Sequence, residues 1–112
     1  MTKVLIKRYD ITYDKSFMAE LRRIPIYFIK KQRNSKSPNA IIESVMERMK
    51  ILEDFPFVGK LITKNKNFEY RKFIIKNYII IYKINLKEKA VNILHIYNQK
   101  QKIKNKKEYI KV

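Results

Sequence analysis

A chain of 112 residues with 46% hydrophobic side chains can build one core but not two. It carries 27 Lys plus Arg against 10 Asp plus Glu, a formal net charge of +17, so a polyanion is the default partner: nucleic acid or a nucleic-acid machine, with an acidic protein partner compatible in either case. With no cysteine and one histidine, disulfides, thiolate metal sites, cysteine nucleophiles and multi-histidine metal centres are excluded, and no metal or cofactor is expected.

The opening MTKVLIKRYD is too short and too charged in its apolar part for a secretory signal, and nowhere do about 18 apolar residues run together. A cytoplasmic protein that does not enter the membrane is expected. Lys, Ile, Asn and Tyr are all abundant, as in chains with A- and T-rich coding sequence, so part of the charge is also compatible with ordinary solvated surface.

Val4 to Tyr13 alternates loosely and is rich in β-branched and aromatic residues, which predicts a first strand. Asp14 or Ser16 is then placed to cap a helix in which Phe17, Leu21, Ile24 and Phe28 share a face. Pro25 lies inside that pattern and is expected to kink or interrupt it. The polar QRNSKSP stretch reads as a connection. Ser37 followed by Pro38 is a good start for a second helix, along which Ile41, Val45, Met49 and Leu52 trace one stripe beside Ile42 and Met46. That helix should run to the stop at DFPFVGK, and the short connection predicts an antiparallel helix hairpin.

The period then changes. FEYRKFII, YIIIYKI and AVNILHIY read as three strands joined by Lys76-Asn77 and by NLKEK, tight enough for consecutive antiparallel hairpins. The middle strand is apolar on both faces, which suits a central position with helices on one side. Pro56 disfavours helical geometry at Phe55 and so ends the second helix. Gly59 is the only glycine, which suggests a turn needing positive φ. The last stretch, NQKQKIKNKKEYIKV, holds Lys100 and Lys102 among six lysines and reads as a basic tail, an extra strand or a short helix. One domain over 1–112 is expected, with 99–112 as its Lys-rich end.

This order is α+β: an N-terminal strand, then an antiparallel helix hairpin packed on a predominantly antiparallel sheet whose C-terminal part is a three-stranded meander. With ILEDFPFVGK at the helix exit, YRKFIIKNYIIIYKI in the meander and VNILHIYNQKQ in the last strand, the chain resembles the RelE/ParE superfamily of toxins from bacterial type II toxin–antitoxin systems. The resemblance covers roughly Ile6 to Gln101 and leans to the ParE branch. It implies growth arrest, either by ribosome-dependent mRNA cleavage, as in RelE-like toxins, or by action on DNA gyrase, as in ParE-like ones. It also implies a cognate acidic antitoxin.

Metal-independent RNA cleavage through the 2′-hydroxyl needs a group to activate it, a cation for the phosphorane and an acid for the leaving oxygen. Arg71, His95 and Lys100 are the catalytic candidates. Lys72, Lys76, Tyr97 and Lys102 are candidates for contact with nucleic acid or another target. Where RelE-like enzymes usually open the strand with Arg, this chain has Ile79, so one phosphate-stabilising cation is missing from the pattern. His95 falls on the parity of Val91, Ile93 and Tyr97, where a packed histidine is the plainer reading. Arg71 and Lys72 should point to opposite faces. Tyr27, Ile29 and Phe57 are the candidate anchors for an amphipathic antitoxin helix, with ordinary core packing as the alternative. A non-catalytic nucleic-acid-binding module, or a degenerate toxin that only binds antitoxin, would carry the same features.

Overall fold

The computed structural model describes the backbone of residues 8–32 and 38–99, and their side chains except at 25–32, 38, 39 and 41. The elements are β1 (Asp10–Tyr13), α1 (Lys15–Gln32), α2 (Pro38–Met49), α3 (Ile51–Asp54), a 3-10 turn (Pro56–Val58), β2 (Lys60–Lys64), β3 (Phe68–Ile75), β4 (Tyr78–Asn85) and β5 (Ala90–Asn98). They form one five-stranded sheet in the order β1-β5-β4-β3-β2, antiparallel except for β1, which lies parallel to β5. The expected α+β architecture and C-terminal meander are present.

Asp14 is the cap of α1: its Oδ2 accepts from the Ser16 backbone N–H at 3.1 Å, and its carbonyl accepts from Met18 N–H at 3.0 Å. Pro25 does not end the helix, which runs on to Gln32. A proline removes one backbone donor and costs about 3 kcal/mol in a helix interior. The buried side chains of Phe17, Leu21 and Ile24 on the preceding turns offset that cost. The stripe on the second helix is also observed, with Val45, Met49 and Leu52 buried and Ile42 and Met46 packed beside them. The helix is divided, however: α2 stops at Met49 and α3 resumes at Ile51, while Lys50 keeps helical angles (φ −60°, ψ −23°) and so keeps Leu52 in line.

Together these side chains cover one face of the sheet, against Ile75, Tyr78, Ile80, Tyr82, Ile84, Val91, Ile93 and Ile96. A second, smaller cluster of Tyr70, Ile81 and Tyr97, with Ile62, Phe68, Ile79 and Leu94 around it, lies on the opposite face. The doubly apolar β4 therefore joins two clusters, as a central strand should.

Two expectations are corrected, and one strand is present that the sequence reading did not include. The strand β2, KLITK, is not announced by alternation: it is a short edge strand with one irregularity in its pairing between Leu61 and Thr63. Gly59 is extended (φ −73°, ψ 158°), and the positive φ angles belong instead to Lys76 (53°) and Lys89 (54°) in the hairpin turns. The parity that grouped Tyr97 with Val91 and Ile93 also fails. Ile81 pairs with His95 and Tyr82 with Ile93, so Leu94 is an extra residue in β5 that shifts the alternation. Ile96 consequently enters the helix-side core while Tyr97 turns to the opposite cluster. Residues 1–7, 33–37 and 100–112, which include the first four residues of the expected first strand, most of the expected connection with Ser37, and nearly all of the basic end, lie outside the described residues. No helix among the described residues is long and apolar enough to cross a membrane.

Candidate functional site

The chain leaves α3 through Phe55, Pro56, Phe57, Val58 and Gly59, and two side chains from the sheet hold this turn from below. Tyr82 on β4 accepts from the Gly59 N–H at 3.0 Å and donates to the Pro56 carbonyl at 2.6 Å. One phenol has one donor and acceptor capacity to spare, so a neutral tyrosine serves both bonds. Burial pushes its pKa above the ordinary 10.0, and it outweighs the Gly59 N–H and Arg71, which pull it down. The phenol therefore stays protonated at neutral pH.

Arg71 on β3 is the second clamp. Its Nη1 donates to the carbonyls of Gly59 (2.6 Å) and Phe57 (3.1 Å). Its Nε and Nη2 reach Glu69 Oε1 at 2.9 and 2.7 Å, with both side chains only 16% exposed. The guanidinium also lies 5.4 Å from the centroid of the Phe57 ring. A guanidinium has five N–H donors, and four are taken by these contacts. Gly59 is thereby explained by close approach: a Cβ there would stand 2.5 Å from Tyr82 Oη and 2.6 Å from the Lys72 carbonyl.

His95 lies two strands away on β5. Its Nδ1 is 3.1 Å from Glu20 Oε1 on α1, and the same oxygen accepts from the Ile96 N–H at 3.2 Å. Glu20 thus clips the helix to the strand. Arg71 pairs with Tyr82 and His95 with Ile81, so β4 runs between them and puts their backbones about 10 Å apart. The structure does not bring them together around one point. Lys100, the third member of that group, and Lys102 lie outside the described residues.

The remaining candidates are spread across the sheet. Lys72 lies on the face of Phe68 and Tyr70, opposite to Arg71 as alternation requires. Tyr97 is 7% exposed and packs with Tyr70 and Ile81, so its ring is part of the smaller cluster. Lys76 occupies the β3–β4 turn, where its carbonyl accepts from Gln99 Nε2 at 3.2 Å. Phe57 is 45% exposed, beside the exposed Phe55 and Val58, with its edge against Tyr9 at a centroid distance of 6.1 Å. The side chains of Tyr27 and Ile29 lie outside the described set, although both residues are on α1.

Sequence reasoning missed the roles of Glu20, Glu69 and Tyr82. The signal for Tyr82 was its place in the IIIYK segment, but its coupling to a turn 26 residues earlier is a property of the folded sheet.

A sequence model of the ParE toxin of type II toxin–antitoxin systems matches residues 11–103. No curated protein sequence matches the chain. Among solved structures, the fold is similar to a chain of the archaeal RelE–RelB complex from Pyrococcus horikoshii, with a TM-score of 0.65 and 18% identity over 85% of this chain and 99% of that one. It is similar to a chain of the chromosomal ParDE system of P. aeruginosa at a TM-score of 0.63 and 14% identity, covering 83% and 98%. A chain of a RelBE toxin–antitoxin complex from Mycobacterium tuberculosis aligns at 0.57 and 18%, covering 81% and 98%.

Proposed function

The chain belongs to the ParE toxin family of type II toxin–antitoxin systems, and from that membership we propose that it arrests growth by acting on DNA gyrase rather than by cutting mRNA. The observation that carries this reading is the engagement of Arg71, whose four occupied N–H donors leave one for a phosphorane. His95 is held by Glu20 in the same way, as a strap between helix and strand. Ile79, in place of an arginine, removes a further cation from the nuclease pattern.

An acidic antitoxin is the partner that holds the toxin inactive. Its complementarity to a chain of net charge +17 favours fast, steered association. Two of the similar folds come from toxin–antitoxin complexes and a third from a ParDE toxin–antitoxin system, which supports such a partner. The helix hairpin and the exposed Phe57 edge are the surface proposed for an amphipathic antitoxin helix, with Tyr27 and Ile29 as further anchors.

Two assays on the purified toxin test the reading: DNA supercoiling by gyrase, and mapping of new RNA 5′ ends in a translation extract with ribosome-free RNA as control. Inhibited supercoiling without new 5′ ends is expected. Cuts confined to translating ribosomes would overturn the gyrase reading and return Arg71, His95 and Lys100 to catalytic roles.

A further inference from the structure

The two turns at the far end of the sheet are held side by side. In the β2–β3 turn, Asn65 Oδ1 accepts from the backbone N–H groups of Asn67 and Phe68, both at 2.9 Å. In the β4–β5 turn, Asn85 Oδ1 accepts from Glu88 N–H at 3.0 Å. A backbone bond from Leu86 N–H to the Asn67 carbonyl, 3.2 Å, ties one turn to the other. Four exposed lysines, Lys64, Lys66, Lys87 and Lys89, belong to this pair of turns, against Glu88 in the turns and Asp10, whose N–H donates to the Lys89 carbonyl at 3.2 Å.

We propose that these four lysines grip the phosphate backbone of duplex DNA. Like charges gathered on preorganised backbone create a local field that a polyanion relieves by displacing its own counterions. The chemistry of the patch selects among polyanions. A protein interface is anchored by large apolar or aromatic side chains, and the exposed ones among the described residues, Tyr13, Phe55, Phe57, Val58, Leu61 and Ile74, are not in these turns. Single-stranded nucleic acid is held by aromatic platforms for its bases. Phe68, the aromatic side chain that follows the β2–β3 turn, is half-buried and already carries Lys83 Nζ at 4.9 Å from its ring centroid. Cations without a stacking platform fit backbone contact with a duplex.

This surface is separate from the candidates treated above. Lys76 lies at the opposite end of β3, an eight-residue strand about 24 Å long. A toxin holding DNA here keeps its FPFVG turn and helix hairpin available to a protein. The proposal does not depend on the gyrase reading, because binding to bare DNA is measured without gyrase.

The test is anisotropy of a labelled short DNA duplex titrated with the full-length chain over a salt series, the fold of each variant being checked by circular dichroism. The parent should bind with strong salt dependence. Lys64→Gln, Lys66→Gln, Lys87→Gln and Lys89→Gln combined should weaken binding about tenfold or more at low salt, and should flatten the log–log salt slope by about 3 to 4 if all four meet phosphates. Lys15→Gln, Arg22→Gln, Arg23→Gln and Arg48→Gln combined remove the same charge from the helices and should have a much smaller effect. The proposal is overturned if the turn variant binds duplex like the parent, or if the helix variant weakens it equally. It is also overturned if the four lysines prove to hold single-stranded RNA or an acidic protein and not duplex DNA.

Discussion

The phenolic oxygen of Tyr82 stands 3.0 Å from the backbone nitrogen of Gly59, and this bond ties the central strand to the turn that follows the helices. Tyr82→Phe leaves the buried Gly59 N–H and Pro56 carbonyl without that oxygen, at a cost of about 1–3 kcal/mol in urea unfolding. It also changes the response to alkali. Burial holds the Tyr82 phenol above its ordinary 10.0, so it costs nothing below pH 10, and the folded state loses stability as pH rises past that value. Tyr13 and Tyr70 are raised by burial too, so Tyr82→Phe should make the alkaline loss shallower without abolishing it.

Gly59→Ala is expected to destabilise by about 1–3 kcal/mol or more, because the added carbon meets the Lys72 carbonyl as well as Tyr82 Oη. Gly59→Asn discriminates the cause. Asparagine tolerates positive φ, so it would be accepted if φ were the reason for glycine; here it should cost at least as much as alanine.

Arg71→Ala removes two bonds to turn carbonyls and leaves the largely buried Glu69 carboxylate without its arginine, which should cost about 2–4 kcal/mol. Arg71→Lys keeps the charge but cannot reproduce the fork, and should recover only part of the loss. Growth arrest in the two variants should follow their folded fraction. A fully folded but inactive lysine variant would argue for direct contact with the target.

Glu20→Ala should cost about 1–2 kcal/mol, since it removes the carboxylate that engages both the His95 ring and the Ile96 N–H. His95→Gln should retain growth arrest and the inhibition of supercoiling. Loss of arrest in a stably folded His95→Gln variant would favour the nuclease reading.

Phe57→Ala should weaken antitoxin binding about tenfold or more, read by calorimetry against the purified antitoxin, because aromatic anchors dominate interface energy. Unchanged affinity would remove Phe57 from the proposed antitoxin surface.

The meander was legible because its strands are dense in β-branched and aromatic residues and their connections are short. The helix stripes were legible for a related reason: Phe17, Leu21 and Ile24, and Val45, Met49 and Leu52, recur at helical spacing. What stayed hidden depends on pairing between distant residues. The edge strand KLITK has too little alternation to announce itself, and the extra residue Leu94 reverses the faces that counting in twos assigns. The candidate site was less legible than the fold for the same reason. Arg71 and His95 have residue types suited to catalysis, but the Phe57 and Gly59 carbonyls and Glu20, which engage them, come from elements remote in sequence.

The parallel pairing of β1 with β5 has a consequence for how the protein is made. Thr12 and Asn92, which share a hydrogen bond, are 80 positions apart, and the apolar face that receives α1 is completed by Val91, Ile93 and Ile96 on β5. A chain emerging from the ribosome therefore carries both helices long before the surface that buries them exists. Non-local closure of this kind is slow. The toxin should acquire its fold only after translation has passed β5, which leaves an interval between synthesis and activity in which a partner can meet it.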